Sequence, residues 1–398
     1  MRVVDVTSFF SASCGGIKTY YRQKARHLPA LGVECHFVVP GEARGTERFE
    51  GGLLHRLPGP RLPGNAQYRL FGLGARLGEL LRDLAPDVIE IGSHTFLPGM
   101  VEDAVASMGG RRPALVGFLH SDIVGTLVMP TIDWLPTFAA NAAGAAAWSF
   151  VRRQHGRYQA TLVASRAVEA ALGAHGVPGV RWVGLGVDVD VFHPAAGERG
   201  DETRTLVYAG RLSSDKQIDL VIAAIDDIHR RCGAALRIIG EGPGRAAIER
   251  FARTRPYVSV EGYVDAPARL AAVFASATAV VTPGARETFS LTTAEALACE
   301  TPVVAPDAGG AHELVRTSGG GAIFRAGDAH ALADATVALL ERSAAERGAM
   351  GRAGREHVAG LFRWPVVMRR VLDAYGDAQV GTATAPGIDG DVAAQRAS

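Results

Sequence analysis

Short apolar runs alternate with longer amphipathic segments along almost the whole chain, and that alternation restricts it to mainly parallel sheets covered by helices. A parallel neighbour cannot be reached by a tight turn, so the chain must cross the sheet, usually as a helix, before the next strand begins. In the first half the strand-like runs are Val3–Val6, Val33–Val39, Asp87–Ile91, Ala114–Leu119, Thr161–Ala164 and Val180–Gly184. Helices are expected at Gly16–Leu31, Gln67–Leu84, after Gly99 and at Ala167–His175. The period fails over residues 186–204, rich in Asp, Gly, Pro and Glu, which read as a linker. It resumes with strands Thr205–Ala209, Leu236–Gly240, Val258–Glu261, Ala279–Thr282 and Pro302–Ala305, each followed by a helix, and closes with helical segments at 328–357 and 363–375. A chain of 398 residues also exceeds what one core usually supports. We therefore read an α/β chain with a first domain at 1–185, a linker at 186–204, a second domain at 205–360 and a helix at 361–376 that returns to the first domain. Residues 377–398 lack apolar periodicity and are expected to be disordered.

With 42 basic and 41 acidic residues there is no global attraction to nucleic acid, so any anion-binding function must be local. No apolar run reaches the roughly 18–20 residues of a membrane span; the longest, Thr137 to Val151, is broken by Asn141 and Ser149. Met1-Arg-Val-Val-Asp-Val enters a strand without a signal-peptide core, which gives a cytoplasmic expectation. Cys14, Cys35, Cys232 and Cys299 are scattered, without CxxC pairing, and point to neither a disulfide framework nor zinc.

Two successive α/β units form a cleft between their strand carboxyl ends, where ligands of open sheets bind. Glu287 and Glu295 lie in Gly284-Ala-Arg-Glu-Thr-Phe-Ser-Leu-Thr-Thr-Ala-Glu-Ala-Leu, which runs from strand to helix. A helix N-terminus there gathers unpaired N–H groups and a positive dipole end, so carboxylates beside it imply a phosphorylated sugar. The plainer reading is a surface acid and a first-turn acid. Arg211 and Lys216, in the loop after Thr205–Ala209, offer a planar fork and a compact charge for a diphosphate, or are two solvated cations. Gly15 and Gly16 open a helix after the first strand and allow close backbone approach to phosphate, or simply mark a turn. His120 ends the strand Ala114–Leu119 at the same edge. Lys18, Arg22, Lys24 and Arg26 on the first helix read either as a solvated face or as a peripheral membrane surface for anionic lipid headgroups. Gly240-Glu-Gly-Pro-Gly-Arg, with Glu261 beyond it, imitates a dinucleotide fingerprint, but Arg245 occupies the third glycine position. Asp188-Val-Asp190 imitates a metal-binding pair but falls in the linker, so no required metal is predicted.

Taken in order, Gly15-Gly16, His120, Gly186-Val-Asp-Val-Asp-Val-Phe192, Tyr208-Ala-Gly-Arg-Leu, Gly240-Glu-Gly-Pro, the Glu287 to Glu295 segment, Thr301-Pro-Val-Val and Phe362-Arg-Trp364 resemble the retaining glycosyltransferases of the GT-B fold, in particular family 4 (glycosyl transferases group 1). The resemblance reaches to about residue 375. It implies two Rossmann-like domains with parallel sheets facing a central cleft, the first for the acceptor and the second for the nucleotide-sugar donor. It also implies that Arg211 and Lys216 hold the donor diphosphate, Glu295 the ribose hydroxyls and Glu287 the transferred hexose. Backbone N–H groups at Phe289, Ser290 and Leu291 assist, Gly16 packs on the diphosphate, and His120 hydrogen-bonds the sugar. No cofactor or metal is implied. Departures are Thr288 and Ser290, where small residues are common, and Ser121-Asp122 after His120. The implied reaction moves a hexose from a UDP- or GDP-sugar to a hydroxyl of a glycan, lipid-linked or small-molecule acceptor, with Ser121 to Ser149 shaping the acceptor pocket. A sugar-nucleotide epimerase or a non-catalytic nucleotide-sugar-binding protein is the alternative.

Overall fold

The computed structural model describes residues 1–10, 16–62, 65–72, 76–92, 97–109, 111–120, 124, 137–197 and 204–384. Its first half contains β1 (Arg2–Val6), α1 (Gly16–His27), β2 (Glu34–Gly41), β3 (Gly45–Phe49), β4 (Gly52–Pro58), β5 (Arg61–Leu62), β6 (Asn65–Arg69), α2 (Arg76–Leu84), β7 (Val88–Ile91), α3 (Leu97–Ala106), β8 (Ala114–Leu119), α4 (Thr137–His155), β9 (Ala160–Val163), α5 (Arg166–Ala174) and β10 (Val180–Trp182). The second contains β11 (Thr205–Ala209), α6 (Ile218–Cys232), β12 (Ala235–Ile239), α7 (Arg245–Ala252), β13 (Val258–Glu261), α8 (Pro267–Ser276), β14 (Ala279–Val281), α9 (Leu291–Ala298), β15 (Val303–Pro306), α10 (Gly309–Ser318), β16 (Gly321–Phe324), α11 (Ala329–Leu340), α12 (Ala344–Leu361) and α13 (Trp364–Thr384).

Among the described residues the first sheet runs β10-β9-β8-β7-β1-β2-β4-β3 and the second β13-β12-β11-β14-β15-β16. Every ladder in them is parallel except β3 with β4. The central strands β7, β8, β14 and β15 are buried along their whole length, which is why they read as mainly apolar runs rather than as alternation, Glu90 of β7 excepted.

Several expectations need correction. The helix expected at Gln67–Leu84 begins only at Arg76, because 65–69 form β6. Residues 45–58 form the β3–β4 hairpin, whose exposed outer strand is polar, and β16 is a further edge strand. The segment 328–357 is two helices, divided where Ser343 and Glu346 form a reciprocal cap. The closing helix continues to Thr384, past the 376 expected, so 377–384 are ordered helix; residues 385–398 lie outside the described residues.

One apolar cluster runs from Val3, Tyr20, Phe37 and Phe118 to Phe289, Phe362 and Trp364, so it joins the two sheets. The chain crosses between them twice. At the first crossing a Cβ on Gly186 would lie 2.2 Å from the Trp364 ring, so only glycine lets the strands pass. There Val187 N donates to Phe362 O at 2.7 Å. Helix α13 then packs on β8, β9 and α1 of the first sheet.

Candidate active site

The site is assembled from four strand ends. After β14 the loop to α9 is held from three sides. Ala285 N donates to Gln217 Oε1 at 3.0 Å, Gly310 N donates to Glu287 O at 2.7 Å, and Thr288 Oγ1 donates to the His120 carbonyl of the other sheet at 3.0 Å. Gly310 is required, since a Cβ there would fall 2.4 Å from Phe289 Cα. The loop ends at Ser290, a non-glycine residue in the left-handed region (φ 71°) whose hydroxyl caps α9 by accepting from Thr293 N. A cap offsets part of the roughly 1 kcal/mol that such a backbone costs.

This geometry leaves an anion-receptive end. The first bond of α9 back into its own turn is Ala294 N to Ser290 O, and Thr293 N is taken by the Ser290 hydroxyl. As first-turn donors, the N–H groups of Leu291 and Thr292 have no acceptor within the helix. Thr292 Oγ1 donates to Ala209 O at 3.3 Å, which seats this turn beside the end of β11. Across the cleft stands Gly16, the first residue of α1; a Cβ there would meet Leu291 Cδ1 at 3.5 Å. Two helix N-termini from different sheets therefore converge.

Lys216 Nζ pairs with Glu287 Oε1 at 3.0 Å, with both side chains partly buried. The Arg211 guanidinium instead turns to Asp215 Oδ2 at 2.8 Å and is largely exposed. The Glu295 carboxyl, one helical turn inside α9, has no hydrogen bond or ion pair among the described residues, and burial raises it to about 8. Phe289 is buried against Phe362. Gly15 lies outside the described residues.

His120 stacks on Phe118 with ring centroids 4.2 Å apart and is edged by Tyr20 and Tyr21. Its Nε2 is covered and has no hydrogen-bond partner among the described residues. Burial lowers the imidazole to about 4; Lys24 pushes the same way and Glu90 opposes. The ring is therefore neutral at pH 7. Beneath it lies a buried cluster in which Lys24 Nζ contacts Asp5 Oδ1 at 2.5 Å and Glu90 Oε2 at 3.1 Å. The Tyr20 and Tyr375 hydroxyls also donate to Glu90. Burial pushes Asp5 well above the usual carboxylate range; burial also works on Glu90, but Lys24 and the hydrogen bonds keep it below that range.

That cluster removes Lys24 from the cationic face expected on α1, since Lys24 is fully buried, while Arg22 and Arg26 both pair with Glu50. Among the described residues no helix is long and apolar enough to cross a membrane. The Gly240-Glu-Gly-Pro turn is structural: Cβ atoms on Gly240 and Gly242 would strike Gly210 O at 1.9 Å and Leu212 O at 2.5 Å. Glu261 is taken by Arg237 and Arg269. In the linker, Asp188 Oδ1 accepts from Asp190 N and Val191 N. Among the described residues no three His, Cys, Asp or Glu side chains group as metal ligands.

Sequence reasoning missed Gln217, Thr288, Gly310 and Tyr263. Tyr263 is an exposed aromatic just beyond β13 whose hydroxyl is raised chiefly by burial and also by Asp265 and Glu295. Only Gly309-Gly310, a glycine pair just after a strand, carried a signal.

Facing parallel sheets with an anion-receptive helix end between them form a two-lobed site for a phosphorylated ligand. A family model described as Glycosyltransferase Family 4 matches residues 14–191, and one described as Glycosyl transferases group 1 matches 203–342. The chain is 30% identical over 389 residues to a GDP-mannose-dependent alpha-mannosyltransferase of Mycolicibacterium smegmatis, covering 94% of this chain and 97% of that one. It is 28% identical to a GDP-mannose-dependent alpha-(1-6)-phosphatidylinositol dimannoside mannosyltransferase of Mycobacterium tuberculosis, covering 96% and 98%. Among solved structures, sucrose-phosphate synthase from Thermosynechococcus elongatus superposes with a TM-score of 0.76 at 21% identity, covering 96% of this chain and 100% of that one. A glycosyltransferase from Rickettsia africae superposes at 0.71 and 14% identity, covering 95% and 98%. The chain belongs to the GT-B glycosyltransferases of family 4.

Proposed function

We propose that the chain transfers mannose from GDP-mannose to a hydroxyl of a glycolipid acceptor, with retention at the anomeric carbon and without a metal. The observation that supports this reading is the bond from Thr288 Oγ1 to His120 O, which ties the loop carrying the Lys216–Glu287 pair and leading into α9 to the end of β8 in the other sheet. The names of the relatives support the guanine base, the mannose and the lipid acceptor. Leu291 and Thr292 N–H, Lys216 and, once released from Asp215, Arg211 neutralise the diphosphate as charge develops on it. Glu295 takes the ribose hydroxyls, Glu287 orients the sugar, and neutral His120 lies beside the sugar. The acceptor oxygen bonds to the anomeric carbon as the bond to the phosphate oxygen breaks; the electron pair goes to the diphosphate, which takes the acceptor's proton. Calorimetry with GDP-mannose, GDP-glucose and UDP-glucose, followed by proton NMR of the product, tests the proposal. Tighter binding of the UDP-sugar removes the donor assignment, and an inverted anomer removes retention. Conversion of the donor with no acceptor present favours the epimerase.

A further inference from the structure

A contact outside the cleft binds the two sheets together through an unusual pairing. Glu313, on the second turn of α10, reaches across the seam to the N-terminus of α5, 146 and 147 residues earlier in the chain. Its Oε1 accepts from Arg166 N and its Oε2 from Ala167 N, both at 3.0 Å. Ser165 takes only the third donor, Val168 N. A carboxylate of one unit thus completes the cap of a helix in the other, where the dipole favours negative charge. The Arg166 guanidinium does not compete for Glu313; it pairs with Glu169 and lies 4.1 Å over the Trp182 ring, while Arg370 lies 4.3 Å over the same ring.

The position of Glu313 ties this cap to the reaction loop. One turn before it, Gly310 N holds Glu287 O, and the next residue of that loop, Thr288, holds His120 O. Helix α5 is thereby connected through α10 to Glu287, while β8 is connected through Thr288 to the same loop. The Glu313 and Thr288 bonds join the two units, whereas the Gly310–Glu287 bond lies within the second; separating the sheets would break the first two and spare the third.

We propose that Glu313 is an interdomain latch, a positioning residue that holds the cleft shut and sets Glu287 opposite His120. This role in turnover rests on the transferase reading above. The latch closes by two charge-assisted bonds and reopens without any covalent step. Its strength sets how long water is kept from the donor.

The test uses the full chain as Glu313→Ala, with Arg166→Pro compared against Arg166→Ala. Proline suits the first position of a helix and removes only its N–H; Ser165 before it is already extended (φ −134°, ψ 156°), as a residue preceding proline must be. Small-angle scattering without ligand is expected to show a larger radius of gyration for Glu313→Ala and for Arg166→Pro relative to Arg166→Ala. With donor and acceptor, kcat is expected to fall about three- to thirty-fold, the range of a lost charged cap, while donor Kd stays within about twofold. The ratio of donor hydrolysis to transfer is expected to rise. Wild-type scattering in both variants overturns the latch whatever the donor proves to be. Altered scattering with an unchanged hydrolysis-to-transfer ratio overturns its role in positioning Glu287. Glu313→Gln, which keeps one acceptor oxygen, is expected to fall between wild type and Glu313→Ala; behaviour identical to wild type also counts against the proposal.

Discussion

Glu295 stands partly buried with no partner among the described residues, and replacing it with glutamine measures what that isolation costs. Its carboxyl has an ordinary value of 4.5 and is raised to about 8 in the folded chain. Between those values the folded chain keeps a proton that the unfolded chain has released. Burial therefore costs little stability below the unfolded value, costs more as pH rises through the window, and costs its full amount above the folded value. At 1.36 kcal/mol per decade, the cost at pH 7 is about 3.4 kcal/mol for a sealed site, and about 1.7 kcal/mol once discounted by half for the open cleft. Glutamine has the shape of the protonated acid and avoids the cost. Differential scanning fluorimetry of Glu295→Gln is expected to show a gain of about 3–5 °C at pH 7, shrinking to within about 1 °C at pH 5. A glutamine variant that melts at or below wild type at neutral pH, or that gains equally at both pH values, refutes the reasoning.

Lys216→Ala and Arg211→Ala are each expected to lower kcat/KM by about 10²–10³-fold, since each removes a charge from the departing diphosphate; near wild-type rates in both dissociate the pair from phosphate. Ser290→Ala keeps the left-handed backbone and loses the cap, a cost of about 1 kcal/mol, whereas Ser290→Gly relaxes the backbone as it loses the cap; equal urea midpoints for the two variants contradict this. Lys24→Met strands Glu90 in the core and is expected to cost about 3–5 kcal/mol, read from denaturant midpoints. Burial holds His120 at about 4, so kcat/KM is expected to show no inflection near 6.5 that disappears in His120→Gln.

The parallel strands were legible because strands buried on both faces are written as continuous Val, Ile and Leu, and the cleft followed because their carboxyl ends share an edge. The β3–β4 hairpin escaped because its outer strand is polar and almost wholly exposed, leaving no apolar period to read. Lys24 looked like one more cation on a helix face; its partners Asp5 and Glu90 come from two strands, and only the packed fold brings them beneath α1. Arg211 was legible as a cation in the loop after β11 but not in its pairing with Asp215. Glu295 was legible as a site acid, whereas its isolation depends on the burial of α9. The glycines at 240 and 242 imitated a nucleotide loop because close backbone approach calls for the same residue whether the neighbour is a phosphate or another strand's carbonyl. Glu313 lies in none of the motifs read from the sequence above, and its partners are main-chain N–H groups that any residue other than proline supplies.

The hydroxyl that Tyr375 donates to Glu90 comes from 285 residues further along the polypeptide. On the ribosome, the amino-terminal half therefore emerges with its ion cluster uncapped and must wait for 285 more residues before α13 can seal it. Folding of that half therefore depends on α13, and a truncation that removes α13 damages a site 285 residues away in sequence rather than the part nearest the cut.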